Sequence, residues 1–204
     1  MLNTKGLTVL VLVAVLGGIN AQNGSPCHAS FFQFTPRHNL NISSYMGDWY
    51  IHEVAGSHIG NFPEPDWKCA KRHLHLPNET DILHLESTDT FVNITDGVTV
   101  AESKLVSVNN TRSPFSAMWR LNSGAEGEID TQVIVLFADL DFAHWTVVYS
   151  CSILGPDAYR YEVVYAMTRA RAIPPELRQY LKALMVGQGF RIGDHWPVDQ
   201  ANCD

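Results

Sequence analysis

Four cysteines and nine histidines are the side chains with which this 204-residue chain could most readily do chemistry. His73-Leu74-His75 sets two imidazoles on one face of a strand, a fragment of a zinc or copper site. A third ligand at a fixed spacing is missing, so no metal is expected. His52, His58 and His84 belong to the same histidine-rich stretch, and solvated surface is its ordinary reading. No Gly-x-Ser-x-Gly elbow or comparable nucleophile signature occurs. Asp139 and Asp141 sit in a turn pattern, where a carboxylate more often bonds the backbone than moves a proton. The chain is therefore not expected to be an enzyme, and no cofactor is required.

The thiols are read through their compartment. Met1 to Lys5 carries one positive charge, Leu7 to Leu16 is an unbroken apolar run, and small and polar residues follow to Ala21. This is the pattern of a secretory signal over residues 1–21, leaving 22–204 as a single domain. The run is about half of the roughly 20 residues that cross a bilayer, so no membrane span is expected. On the export route thiols pair, and Cys27, Cys69, Cys151 and Cys203 are even in number. Two disulfides follow, with three pairings open. Asn41, Asn78, Asn93 and Asn109 each begin an Asn-x-Ser/Thr sequon among turn-forming or polar residues, as expected of a secreted, extracellular glycoprotein.

Apolar residues make up 46% of the chain and charged residues 17%, enough for a real core. The net charge of −7, without any run of Lys and Arg, argues against nucleic acid as a partner.

The elements that must position these groups are strands. Eight runs rich in Val, Ile, Thr and aromatic residues are separated by Gly, Pro, Asn and Asp clusters: roughly 48–55, 69–76, 81–90, 98–108, 115–121, 132–139, 145–152 and 160–169. Their short connections suit antiparallel hairpins. The segment 56–68, with Phe62 and Trp67 beside Pro63 and Pro65, is long enough to be a lid. Leu177, Tyr180, Leu181, Leu184 and Met185 recur at helical spacing after Pro174 and Pro175 and before Gly187, so one helix follows the last strand and packs on the sheet. The expected fold is all-β, an eight-stranded antiparallel up-and-down barrel with one C-terminal helix outside; a two-sheet sandwich is its structural rival.

Three separated motifs carry a family resemblance. Gly47-Asp48-Trp49, Ala138-Asp139-Leu140 leading into Tyr149-Ser150-Cys151, and Met167-Thr168-Arg169 resemble the signatures of the lipocalins, and more narrowly the apolipoprotein D, bilin-binding protein and crustacyanin group. The resemblance implies structural roles for Gly47, Trp49, Asp139 and Arg169, with the Arg169 guanidinium over the Trp49 indole. It also implies the pairings Cys27 with Cys151 and Cys69 with Cys203.

A calyx of this kind implies a carrier. With Trp49 inward, a period of two turns Ile51, Glu53 and Ala55 inward as well, and on the last strand Tyr161, Val163, Tyr165 and Met167. Phe115, Trp119, Val135, Phe137 and Tyr149 are the other expected lining groups, and Tyr165 is the leading pocket residue. Such a wall suits a small hydrophobic ligand: a fatty acid or other lipid, a retinoid, sterol, carotenoid or bilin. The competing reading is a secreted scaffold acting through protein contacts, such as a cell-surface receptor. The sequence leaves the oligomeric state open.

Overall fold

The computed structural model describes Cys27 and residues 34–58, 66–108, 115–122, 131–154, 159–190 and 195–203. A short helix α1 (Ile42–Tyr45) leads into strands β1 (Gly47–His58), β2 (Trp67–His75), β3 (His84–Asn93) and β4 (Thr99–Val108). Strands β5 (Met118–Asn122), β6 (Thr131–Ala138), β7 (Trp145–Leu154) and β8 (Tyr159–Thr168) follow. The chain then forms helix α2 (Pro175–Gly187) and a short strand β9 (His195–Pro197). Each of β1 to β8 pairs antiparallel with its sequence neighbour, and β8 returns to β1. This is the closed barrel expected, not a sandwich, and closure leaves no long edge exposed.

Strand β1 is long enough to serve two partners on one edge. Gly47 to Tyr50 pair with β2; beyond them β2 diverges and β9 takes over at Glu53 to Ala55. Gln200 fills the gap, its Nε2 donating to the carbonyls of Ile51 and Ala70 at 2.8 Å each. Neither β9 nor α1 was expected from the sequence. The expected strand at 115–121 also changes: Phe115–Ala117 is a 3-10 turn, and the Ser116 carbonyl accepts from the Trp119 indole at 2.8 Å.

Two extra residues decide which way the walls face. His52 is inserted between Ile51 and Glu53 opposite β8, and Leu136 between Val135 and Phe137 opposite β7. A bulge of this kind shifts the alternation by one, so side chains beyond it change face. Inside, Trp49, Ile51, Val54, Val133, Val135, Val148 and Val163 join one apolar cluster. Outside, Ala55, Ile134, Leu136, Val147, Tyr149 and Val164 join a second, under Leu181 and Met185 of α2. The strands are greasy on both faces because one faces the interior and the other the helix.

The disulfides are Cys27–Cys151 and Cys69–Cys203, with Cα–Cα distances of 5.6 and 5.5 Å. Among the described residues no helix is long and apolar enough to cross a membrane.

Candidate functional site

The base of the barrel is plugged. Tyr45 and Trp49 are fully buried, their ring centroids 5.0 Å apart, and Tyr45 meets Trp119 and Phe142 edge-on at 5.4 and 5.9 Å. The Trp49 indole donates to the Tyr45 carbonyl at 3.0 Å, and the Tyr45 and Thr146 hydroxyls share a hydrogen bond of 3.0 Å. Burial pushes the pKa of the Tyr45 hydroxyl up, so it stays protonated. Arg169 closes this end from outside, its guanidinium carbon 3.7 Å from the Trp49 ring centroid. Gly47 is required here: its φ is +100°, and a Cβ would stand 3.2 Å from the Arg169 Nη1.

Toward the other end the interior empties. A cavity of about 190 Å³ lies above Ile51 and Ala70, with Trp67, Phe91 and Tyr165 as its aromatic walls. Charged groups line it too. Alternation puts Ala70, Arg72 and Leu74 on the inner face of β2 and Leu85, Asp89 and Phe91 on that of β3, and the strand register sets Arg72 opposite Asp89. Arg72 Nε and Nη2 donate to the two carboxylate oxygens at 2.6 and 2.8 Å. Glu102 and Lys104 of β4 face the same space, 3.4 Å apart.

These charges are held by one another. Burial works against the Arg72 charge, but the Asp89 carboxylate more than reverses it and raises the guanidinium pKa. Burial likewise opposes ionisation of Asp89, and Arg72 and Lys104 overcome it, so its pKa falls. Tyr165, with the Arg72 guanidinium carbon 5.2 Å from its ring centroid, is pushed up by burial and stays a neutral phenol.

A larger groove of about 570 Å³ lies outside the barrel between the start of α2 and the C-terminal segment, lined by His52, Arg171, Arg178, Pro197 and Gln200. It is open to solvent, whereas the smaller interior cavity is walled by five strands.

The comparisons agree with this geometry. The chain is 25% identical to apolipoprotein D of Mus musculus over 201 residues, covering 97% of each protein. The chain resembles the lipocalins of the apolipoprotein D and crustacyanin group. Among solved structures, the chain matches lobster apocrustacyanin A1 with a TM-score of 0.57 and 17% identity, over 79% of this chain and 81% of that one. Apocrustacyanins C1 and C2 match with the same TM-score of 0.57 and 17% identity, over the same 79% and 81%. No family model matches the chain.

Of the residues expected to line a pocket, Ile51 and Tyr165 border the cavity. Trp119, Val135, Val163 and Met167 face inward as part of the packed interior. Glu53, Phe137 and Tyr149 do not face inward. The bulge at His52 turns Glu53 and Ala55 outward, and Glu53 is fully buried under α2, where Arg178 and Lys182 reach its two oxygens at 3.1 and 3.3 Å. The bulge at Leu136 does the same to Phe137. Tyr149 pairs with Ile134 on the outer face, where its ring packs on Phe34 at 4.5 Å and its hydroxyl donates to Glu162. The expected lid over 56–68 is shorter at both ends, because residues 56–58 continue β1 and Trp67 and Lys68 open β2; its middle, 59–65, lies outside the described residues, as do the side chains of Phe115 and Tyr161, Asn109 and the segment 1–21.

Trp67, Ala70, Arg72, Asp89 and Phe91 were not among the expected lining groups. The Ala70, Arg72, Leu74 alternation was the available signal, but an arginine between two apolar positions reads as an outward residue until its partner on the next strand is known. The histidine pair faces solvent instead: the His73 and His75 rings are 5.8 Å apart, with Asp48 2.7 Å from His73 and Glu86 3.4 Å from His75. No three metal-ligating side chains converge among the described residues.

Proposed function

We propose that this chain is a lipocalin, a secreted carrier that sequesters a small hydrophobic ligand in the upper half of its barrel. The observation that carries the reading is the cavity of about 190 Å³ above a fully packed base. An unfilled interior forfeits dispersion contacts and apolar burial that side chains would otherwise supply, so the space needs a functional reason. Two disulfides that tie terminal segments to the barrel support an extracellular setting. Of the sequon residues, Asn41 is the exposed N-cap of α1, Asn78 lies in an exposed bend and Asn93 ends β3, positions that support glycosylation.

The volume limits the ligand. Pockets for drug-sized molecules run from about 300 Å³ upward, so the described cavity takes one end of a lipid, retinoid, sterol or bilin and leaves the remainder at the mouth. Burying about 300 Å² of apolar surface yields roughly 7 kcal/mol before ordering costs, which leaves binding at micromolar strength or weaker unless polar contacts add to it. The mechanism is carriage, with no bond made or broken.

Mass spectrometry of the organic extract from natively isolated protein tests the proposal, together with titration of delipidated protein by a fatty acid, a retinoid, a sterol and biliverdin. A stoichiometric ligand in the extract, or quenching of tryptophan fluorescence by one member of the panel, is the expected result. An empty extract and no response to any member would overturn it.

A further inference from the structure

We infer that the outer face of β2 carries a binding site for a divalent late transition metal, copper(II) most tightly, held by His73 and His75 with Glu86 as a third donor. The site lies outside the barrel and is independent of the carrier reading.

Alternation along β2 turns Ala70, Arg72 and Leu74 inward, so Lys71, His73 and His75 stand on the outer wall. The two imidazole rings are 5.8 Å apart with their planes tilted by 32°. Two imidazoles that share one tetrahedral metal have ring centroids about 5 Å apart, given metal–nitrogen bonds of about 2.0 Å. Closing that difference of about 1 Å is within the freedom of side chains that are 47% and 45% exposed.

The donor that the sequence spacing lacks comes from the next strand. Register sets His75 opposite Glu86 of β3, and His75 Nε2 lies 3.4 Å from Glu86 Oε2. Two ligand atoms on one tetrahedral ion stand about that far apart, at bonds of about 2.0–2.2 Å, whereas an N–H···O hydrogen bond spans about 2.7–3.2 Å. His75 Nδ1 is buried without a partner, so neither nitrogen of this ring is hydrogen-bonded among the described residues.

His73 is anchored from the other side. Its Nδ1 is 2.7 Å from Asp48 Oδ1 of β1, and Lys71 Nζ lies 3.6 Å from the second oxygen of that carboxylate. A carboxylate on Nδ1 fixes the tautomer with its proton there, leaves the lone pair on Nε2 and raises the basicity of that nitrogen, which is how histidine ligands are oriented in metal sites. Two imidazole nitrogens and one carboxylate oxygen, with water completing the set, favour copper(II) over nickel(II) and zinc(II) in the Irving–Williams order. Calcium, which takes six to eight oxygen ligands, does not fit it. Because the side chains must close on the ion, the expected affinity is micromolar.

The test is calorimetric titration of the disulfide-intact protein with copper(II) chloride in a non-chelating buffer, paired with electron paramagnetic resonance of the one-equivalent complex. One saturable site with a micromolar Kd, hyperfine structure from two imidazole nitrogens and no response to calcium chloride are expected. The double variant His73→Gln/His75→Gln should lose the site, Glu86→Gln should weaken it several-fold, and Asp48→Asn about tenfold, as the loss of an outer-shell carboxylate does. His84→Gln alters another exposed histidine on the same wall, 2.8 Å from Asp81, and should leave binding unchanged. These side chains are all partly or fully exposed, so the variants keep the fold. The absence of a saturable site, copper binding that survives the double histidine variant, or equal loss in His84→Gln would overturn the inference.

Discussion

Arg169 lies flat against Trp49 and at the same time donates to four backbone carbonyls: Phe142 at 3.2 Å, Asp48 at 3.0 Å, Ser44 at 3.2 Å and Tyr45 at 3.1 Å. One side chain at the end of β8 thus ties α1, the start of β1 and the β6–β7 turn to the barrel base. Replacing it with leucine removes the cation-π contact and leaves those carbonyls with one donor fewer. The expected loss is about 3 kcal/mol, read as a lower midpoint in urea with an unchanged slope, and Arg169→Lys should recover only part of it.

His52 predicts an acid limit to stability. It is 1% exposed in the β1 bulge, its Nε2 lies 2.9 Å from the Thr168 hydroxyl and 3.2 Å from the Ala170 carbonyl, and burial pulls its pKa down to about 4. The unfolded chain therefore binds a proton near pH 6.5 that the folded protein refuses until about pH 4. Stability is full above pH 6.5 and falls as pH drops through this window, by up to about 3 kcal/mol. Arg178, which faces the same groove, adds to the penalty on a charged imidazole. Denaturation midpoints of His52→Gln between pH 7 and 4 should show a shallower decline than native protein; an identical decline would assign the acid sensitivity elsewhere.

The Glu53 cluster separates a buried charge from its partners. Burial raises the Glu53 pKa although Lys182 and Arg178 both oppose it. Arg178→Ala takes away one of two cations and should destabilise by about 2 kcal/mol, since the carboxylate stays buried. Combining Glu53→Met with Arg178→Met should cost less than Arg178→Ala alone, which a double-mutant comparison of melting curves checks.

These predictions also mark what could be read before the fold was known. Period-two alternation in β6 and β8 and the helical stripe of α2 make the barrel and its outer helix legible, because these two strands bury one face in the interior and the other under the helix. The bulges at His52 and Leu136 are not legible. An inserted residue has no local sequence signature when the strand is apolar on both sides, yet it reverses Glu53, Ala55 and Phe137 together. Tyr149 fails for a related reason, since Val148 beside it serves equally well as the inward group. Arg72 and Asp89 are hidden because their burial depends on pairing across strands.

The Cys69–Cys203 bridge has a positional role. Cys69 has a φ of +57°, and its N–H donates to the Asp199 carbonyl at 2.8 Å, so the bridge and this bond hold Gln200 between Ile51 and Ala70. Replacing both cysteines with serine should cost about 2–4 kcal/mol and accelerate hydrogen exchange at the β1–β2 junction before other strands. Uniform acceleration around the barrel would contradict this local role.

The central claim is that the guest sits inside the barrel, on Ala70, and the most direct test fills that space. Ala70→Phe projects a ring into the cavity from β2 without changing any charge. Titrating native and variant protein with the panel of fatty acid, retinoid, sterol and biliverdin should show, for the member that binds, affinity reduced by about tenfold or more, with a melting temperature equal or higher because the space is now packed. Undiminished affinity in a folded variant would place the ligand outside the calyx and contradict the account.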